Sequence, residues 1–293
     1  MIDSFLKYLQ FEKRVSAHTI LAYQNDLRQF SSFLTNTFTL DNTELANHSM
    51  IRSWIIDLVE EKLDPASVNR KIACLRSYYK YLQRQEVIQR DPMLKIRILK
   101  RKKKLPAFVK EADMIDLLDT PSKDGDPFEE LRDRLIIELF YGTGMRLSEL
   151  LNLRENQIDL RNRTLKVLGK RNKERVIPFS KTLVSIIEEY RTMKRKEIAE
   201  REHDFLLVTR NGAQCYSTLV YRVVRKALKA VPTDKKSPHV LRHTYATHLL
   251  NKGAEINAVK DLLGHTSLAA TQVYTHNSVE KLKKAFDKAH PKA

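Results

Sequence analysis

Residues 164 to 179 read TLKVLGKRNKERVIPF, and they interrupt a chain whose other patterns are mostly helical. Two short runs, Leu165 to Leu168 and Arg175 to Ile177, contain residue types that favour strands. The Gly-Lys-Arg-Asn segment between them is a turn candidate. The stretch therefore predicts an antiparallel β-hairpin, with Lys170 at its tip, inside a mainly α protein.

The first hundred residues carry four amphipathic stripes, each with apolar residues spaced by three and four. Ser16 is a good helix N-cap, and Pro65 precedes the fourth stripe. The stripes consist of Ile2, Phe5, Leu6 and Leu9; Ile20, Tyr23, Leu27, Phe30 and Leu34; Ile51, Trp54, Ile55, Leu58 and Val59; and Val68, Ile72, Leu75, Tyr79 and Leu82. Together they predict a four-helix bundle.

A basic segment separates this bundle from the rest of the chain. KIRILKRKKK, residues 95 to 104, holds seven basic residues and no acidic one. We expect three parts: an N-terminal domain over 1–95, a linker over 96–106, and a mostly helical second domain over 107–293 that contains the hairpin. The linker is either simply solvated or lies along a phosphate backbone. The residues expected to contact DNA there are Lys100, Arg101, Lys102, Lys103 and Lys104.

The charge of the chain points to an anionic partner. The 293 residues include 53 basic and 36 acidic ones, which gives a net charge of +17. Nucleic acid is the first expectation, and an acidic membrane surface is the second. An ordinary enzyme with a basic surface is the third interpretation.

Other classes of protein find little support. Cys74 and Cys215 are the only cysteines, which suits a reducing cytoplasm and forms no disulfide framework. The chain lacks a run long enough for a membrane span, and its N-terminus does not have the pattern of a signal peptide. Since nucleotide-binding and metal-binding motifs are also missing, we expect no cofactor and no metal.

Three short segments hold candidate chemical groups. In YGTGMRLSEL (141–150), two glycines are predicted to end a helix near Phe140, just before Arg146. In HVLRHTYATHLL (239–250), Pro238 starts a helix that carries His239 and Arg242. In LGHTSLAATQVYTH (263–276), Gly264 is predicted to be a left-handed helix cap, and it is followed by His265 and, further on, Tyr274. Each residue alone is also compatible with a structural role.

Taken together, these groups suit the cleavage of a phosphodiester. Arginines and a histidine provide fixed donors for the charge that develops on the phosphate. A tyrosine hydroxyl has a pKa of about 10, so it needs neighbouring groups before it can act as a nucleophile. A lysine at the hairpin tip, Lys170, is a candidate proton donor for the leaving oxygen.

The same segments resemble the four signature segments of the tyrosine recombinases, the phage-integrase-type site-specific recombinases. GTGMRLSEL, GKRNKERVIP, HVLRHTYATHLL and LGHTSLAATQVYTH occur in the family's order. The N-terminal half resembles the family's core-binding domain, which is SAM-like. The length and the ending FDKAHPKA are most similar to the Xer subgroup.

The resemblance implies specific roles. Tyr274 would attack the scissile phosphate and form a 3′-phosphotyrosyl link. Arg146, Arg242 and His265 would hold the phosphate, His239 would assist proton transfer, and Lys170 would protonate the leaving 5′ oxygen. Neither ATP nor a metal ion would take part. Many relatives have Gly-Lys-Gly at the hairpin, whereas Arg171 follows Lys170 here. We therefore expect Arg171 to be a further DNA contact, and Lys173 would be the acid if the register of the turn were shifted.

The resemblance also implies partners. These are a double-stranded DNA recombination site, a homo- or hetero-tetramer with a Holliday-junction intermediate, and, for Xer-type resolution of chromosome dimers, a second recombinase and a septal DNA translocase. An integrase or invertase of a mobile element and a non-catalytic DNA-binding protein of the same fold are the alternatives. The basic segment from Val279 to Lys288 is expected to be a helix that packs either on its own subunit or on a neighbour.

Overall fold

The chain forms two compact units, Met1–Lys104 and Leu105–Ala293, in a computed structural model. Each unit has a hydrophobic core of its own. The structure describes residues 1–100, 107–120, 125–169, 174–198 and 203–264, together with residues 286, 288, 289 and 291.

The first unit is helical throughout its regular structure, as the four stripes predict. A π-helical turn over Tyr8–Glu12 extends α1, and a 3₁₀ turn over Thr43–Leu45 precedes α3. The four helices are α1 (Ile2–Lys7), α2 (Ala17–Phe38), α3 (His48–Glu60) and α4 (Pro65–Arg84).

The starts of these helices have local causes. The Ser16 hydroxyl accepts a hydrogen bond from the Thr19 backbone N–H, which confirms the predicted N-cap of α2. Asp64 caps α4 in the same way, and Pro65 occupies its first turn, where a missing N–H costs nothing.

Every residue of the predicted stripes is buried or half-buried except one. Val59 is 46% exposed, so its assignment to the core is wrong. The buried face of α3 centres on Ile51, Trp54 and Leu58, which follow one another by three and four residues. Val59 is one position past Leu58, and one position turns a helix by about 100°, away from that face.

A buried ionic group also holds the first unit together. Asp26 is 1% exposed and Lys71 4% exposed, and the Lys71 Nζ lies 2.9 Å from the Asp26 Oδ1. Arg70 forms a second ion pair with Asp26. Since a buried charge is costly unless it is paired, Asp26 and Lys71 depend on one another.

The start of the predicted linker packs on the first unit. Ile96 is buried in its core, and the Asn69 side chain hydrogen-bonds both the N–H and the carbonyl of Leu99. Lys100 is exposed, and residues 101–106 lie outside the described residues. The apolar side chains of Ile96 and Leu99 explain why this part of the basic segment is not free.

The second unit combines helices with a small antiparallel sheet. The sheet has the order β1-β2-β3, with Leu165 opposite Ile177. The predicted hairpin is confirmed, and β1 is an additional strand. The strands are β1 (Ile158–Asp159), β2 (Thr164–Leu168) and β3 (Glu174–Pro178), and the helices are α5 (Glu111–Asp119), α6 (Pro127–Thr143), α7 (Leu147–Leu151), α8 (Lys181–Glu197), α9 (Ser217–Ala227), α10 (Pro238–Asn251) and α11 (Ile256–Leu263).

Helix α6 lies at the centre of the second unit. It packs against both α8 and α10, and its residues from Leu135 to Thr143 are all buried. Phe286 and Ala289 are buried in this same core, so part of the C-terminal segment packs on its own chain. Most of the predicted helix from residue 279 to 288 lies outside the described residues. Within the described part of the chain, each helix is too short or too polar to span a lipid bilayer.

Candidate active site

The end of α11 is the meeting point of three arginine side chains. The carbonyls of Leu262, Leu263 and Gly264 accept hydrogen bonds from Arg175 (2.9 Å), Arg242 (2.6 Å) and Arg146 (2.8 Å), respectively. The last carbonyls of a helix have no partner within the helix and carry its partial negative charge. Cationic side chains therefore stabilise this helix end and are drawn together by it.

Arg146 is set by the turn between α6 and α7. Gly144 ends α6 in the left-handed conformation, with a φ of 60°, and Arg146 is the N-cap of α7. The Arg146 backbone N–H donates to the Glu149 Oε2 (2.7 Å), and its Nη1 donates to the Oε1 (2.9 Å). One carboxylate thus fixes both the backbone and the guanidinium of Arg146.

The two glycines before Arg146 behave differently from the prediction. Helix α6 continues through Gly142 and reaches Thr143, so the predicted end near Phe140 is wrong. Gly142 lies in ordinary helical backbone, and of these two glycines only Gly144 has a positive φ. Gly144 is also a position that only glycine fits, since the ring of Tyr245 occupies the place where a Cβ would lie.

Arg242 lies in the second turn of α10 and is 9% exposed. Its Nη1 donates to the Gly144 carbonyl and its Nη2 to the Leu263 carbonyl. Burial, followed by the positive charges of Arg146 and Arg175, lowers the pKa of Arg242 to about 10. Arg242 remains protonated at neutral pH, but it is held where a positive charge is unfavourable, so an anion beside it would be stabilising.

Arg175 and Glu149 belong to the same group of side chains and were not predicted. They form a bidentate ion pair, with Nη1 to Oε1 at 2.5 Å and Nη2 to Oε2 at 2.7 Å, and they are 3% and 4% exposed. Burial alone would raise the pKa of Glu149, but hydrogen bonds and charge from Arg175, then from Arg146, outweigh it and lower the pKa.

Sequence signals for both residues exist. Arg175 lies two positions before Ile177 in a strand, so it shares the apolar face of that strand. Glu149 follows Arg146 by three residues at a helix start, which is the spacing of a capping pair.

The electrostatic balance of this group favours an anion. Three guanidinium groups carry three positive charges, and Glu149 is the one carboxylate that contacts them among the described residues. A net charge of about +2 therefore remains in a partly buried site. Guanidinium groups bind phosphate oxygens with paired N–H donors, so a phosphate group suits the site.

The remaining predicted site residues lie outside the arginine cluster or outside the described residues, except for Gly264. His239 is exposed in the first turn of α10, one turn before the buried Arg242, and its ring has no hydrogen-bond partner among the described residues. Gly264 has a φ of 63°, which confirms the predicted left-handed cap. The predicted residues that lie outside the described residues are Arg101, Lys102, Lys103, Lys104, Lys170, Arg171, Lys173, His265 and Tyr274.

Helix α10, which carries Arg242, is also bound to the backbone of Val109. The Val109 N–H donates to the Thr244 Oγ1 (2.9 Å), and the Val109 carbonyl accepts from the His248 Nε2 (2.9 Å). Because a carbonyl only accepts, the Nε2 carries the proton, and the His248 Nδ1 accepts from the Tyr141 hydroxyl (3.0 Å). Burial lowers the pKa of His248, which keeps this ring neutral.

The described residues contain no group of three or more His, Cys, Asp or Glu side chains that could hold a metal ion.

Comparison with protein families gives matches along most of the chain. Residues 107–281 match the phage integrase family, and residues 2–86 match the phage integrase N-terminal SAM-like domain. The tyrosine recombinase XerC of Staphylococcus haemolyticus (strain JCSC1435) is 39% identical over 291 residues, covering 99% of this chain and 96% of the relative. That of Chlorobaculum parvum (strain DSM 263 / NCIMB 8327) is 36% identical over 317 residues, covering 100% and 94%.

Solved structures share the fold at lower identity. A XerH site-specific recombinase bound to a palindromic difH substrate, in a post-cleavage complex, has a TM-score of 0.74 at 21% identity, covering 97% of this chain and 84% of that chain. The Tn1549 transposon integrase in complex with transposon right end DNA has a TM-score of 0.73 at 20% identity, covering 98% and 99%.

Proposed function

Because the chain belongs to the phage integrase family, the tyrosine recombinases, we propose that it cuts and rejoins double-stranded DNA at a specific site of the Xer type. Relatives named tyrosine recombinase XerC are 35% to 39% identical to it along nearly its whole length. This likeness favours the Xer type over an integrase or invertase of a mobile element.

The observation that carries the proposal is the arginine cluster at the end of α11. Arg146 and Arg242 come from segments almost a hundred residues apart, yet both donate to the carbonyls just before His265. A phosphodiester under attack gains negative charge on its non-bridging oxygens, and fixed guanidinium donors stabilise that charge. By analogy with other oxyanion sites, each donor contributes about 3–4 kcal/mol to the transition state.

The chemistry follows from these groups. The Tyr274 hydroxyl attacks the phosphorus, the bond to the 5′ oxygen breaks, and a 3′-phosphotyrosyl ester and a free 5′-hydroxyl form. Arg146, Arg242 and His265 bind the non-bridging oxygens, and His239 assists the transfer of the proton from Tyr274. Lys170 donates a proton to the departing oxygen. A 5′-hydroxyl of a partner strand reverses these steps, so the ester conserves the bond energy and no ATP is consumed.

We further propose that the enzyme works as a tetramer. Two successive strand exchanges through a Holliday junction then complete the reaction, with a second Xer-type recombinase and a septal DNA translocase as partners in the resolution of chromosome dimers. The exposed Lys100 and the basic residues after it support contacts with the DNA backbone. A non-catalytic protein of the same fold is the alternative, and the presence of Tyr274 with both arginines argues against it.

A covalent-adduct assay tests this function. Because the DNA site is unknown, duplexes that bind the chain are first enriched from a random-sequence pool. The enriched site is then nicked next to the scissile phosphate, so that the freed fragment diffuses away and the covalent adduct accumulates. We expect wild type to give a protein–DNA band that survives SDS and Tyr274→Phe to bind the DNA but give none.

The matched control is Tyr216→Phe, the same chemical change at a tyrosine that is 50% exposed. It should form the adduct at the wild-type rate. An adduct from Tyr274→Phe would reject Tyr274 as the nucleophile. Tight, site-specific binding by wild type without any adduct would favour the non-catalytic alternative.

A further inference from the structure

Arg175 makes contacts that connect three parts of the site. Its guanidinium forms the bidentate pair with Glu149, and its Nε donates to the Leu262 carbonyl. Gly264 also packs on its side chain, since a Cβ at that position would lie 3.0 Å from the Arg175 Cδ. Arg175 itself is part of β3, the second strand of the hairpin.

The Glu149 carboxylate links Arg175 to Arg146. Each of its two oxygens accepts one hydrogen bond from Arg175 and one from Arg146. Without Arg175, the carboxylate would lose half of these donors and the partner that sets the plane of its two oxygens. The Arg146 guanidinium would then have a less defined position.

Arg146 and Arg175 differ in the solvent exposure of their side chains. The Arg146 side chain is 24% exposed, whereas the Arg175 side chain is 4% exposed and directs all three of its donor nitrogens to protein atoms. Arg146 is therefore accessible to a phosphate, and Arg175 is not. Any effect of Arg175 on the reaction has to pass through the residues that it holds.

We propose that Arg175 is a positioning residue for strand cleavage. It holds Glu149, and through it Arg146, in the geometry that fits the scissile phosphate. This inference rests on the proposed function, because it assigns Arg146 to the phosphate.

The test is Arg175→Lys, measured in single-turnover cleavage of the nicked duplex with saturating enzyme. A lysine keeps the charge but cannot form the two parallel hydrogen bonds. We expect the DNA affinity to change less than about threefold, while the cleavage rate falls roughly 10- to 100-fold, because small displacements of positioned groups reduce reaction rates by such factors. An unchanged cleavage rate would overturn the inference.

A second substrate distinguishes positioning from general loosening of the fold. It carries a methylphosphonate at the scissile position, which removes one negative oxygen and so reduces the need for Arg146. If Arg175 acts through Arg146, the losses caused by Arg175→Lys and by Arg146→Lys both shrink on this substrate, and the double variant is no slower than Arg146→Lys alone. Equal losses on both substrates, or losses that multiply, would contradict the proposal.

Arg132→Lys is the matched control. Arg132 also has a 4% exposed side chain, and it forms ion pairs with Glu129 and Asp133 in the same unit without contacting the arginine cluster. We expect it to lower the melting temperature while leaving the ratio of phosphate to methylphosphonate cleavage at the wild-type value. The same change of ratio as in Arg175→Lys would assign the effect to lost stability and overturn the inference.

If Arg175→Lys does not fold, Arg175→Met combined with Glu149→Leu replaces the buried pair by apolar groups, which is often neutral for stability. This variant should still lose roughly 10- to 100-fold in cleavage rate, again with a smaller loss on the methylphosphonate. Full activity would sink the inference. Failure of the proposed function looks different, because wild type itself would then give no adduct.

Discussion

Gly144 provides a sharp test of how the site is built. Its φ of 60° lies in the left-handed region, and a Cβ there would lie 2.8 Å from the Tyr245 Cε1, closer still to the Cδ1, and 3.0 Å from the Leu263 Cδ2. Tyr245 is fully buried and cannot move aside cheaply. Gly144→Ala should therefore be strongly destabilising.

The magnitude follows from two contributions. Left-handed backbone costs a non-glycine residue about 1–2 kcal/mol, and forcing a methyl group into a packed core costs about 1–3 kcal/mol. Their sum is roughly 2–5 kcal/mol, which for a unit of this size lowers the melting temperature by roughly 4–20 °C. Because the Gly144 carbonyl accepts a hydrogen bond from Arg242, cleavage should also become slower.

The control is the neighbouring Gly142, where a Cβ would meet only the Leu183 Cδ2 at 3.7 Å, an ordinary contact. Gly142→Ala should stabilise the second unit by about 0.5–1 kcal/mol, since glycine has more freedom to lose on folding.

Far-UV circular dichroism follows the unfolding of both units. The single tryptophan, Trp54, lies in the first unit, so its fluorescence identifies the transition that belongs to that unit. Equal stability of wild type and Gly144→Ala, or equal losses in both alanine variants, would refute the reasoning.

Two further predictions concern buried ionisable groups. Burial lowers the pKa of His248 below its ordinary 6.5, so the unfolded chain binds more protons than the folded chain. The stability of the second unit should therefore be full above about pH 6.5 and fall as the pH drops below it. Between about pH 7.5 and about pH 5.5 the melting temperature of His248→Gln should change less than that of wild type, and equal changes would contradict this. Asp26→Asn leaves Lys71 without its carboxylate and should lower the free energy of unfolding by about 3–5 kcal/mol, measured by urea unfolding with Trp54 fluorescence. The control Glu60→Gln, at an exposed position, should leave it unchanged. A similar unfolding midpoint for both variants would rule out a dependence on the ion pair.

The sequence was most informative where structure has local causes. The Ser16 cap, the helix start at Pro238 and the left-handed Gly264 each depend on residues within one or two turns of the chain. The strand-favouring residues of the two runs and the turn segment between them likewise predicted the hairpin, because these preferences are also local.

The features that escaped prediction depend on contacts between distant segments. Gly142 and Gly144 look alike in sequence, and they are distinguished by the backbone conformation at Gly144 and by the side chains of Tyr245 and Leu263 that pack against it. Arg175 read as one more basic residue in a basic chain, although it pairs with Glu149, 26 residues away. Arg146 and Arg242 were assigned by resemblance to a family, and their common attachment to the end of α11 required the fold.

Val109 has a mechanical consequence. Its N–H and its carbonyl are both fastened to α10, through Thr244 and His248, which lie one helical turn apart. A pull on the chain that enters the second unit therefore loads two hydrogen bonds in parallel, and neither can open without the other bearing the strain. Tension at Val109 is therefore transmitted to α10, the helix that carries Arg242, before these two hydrogen bonds break.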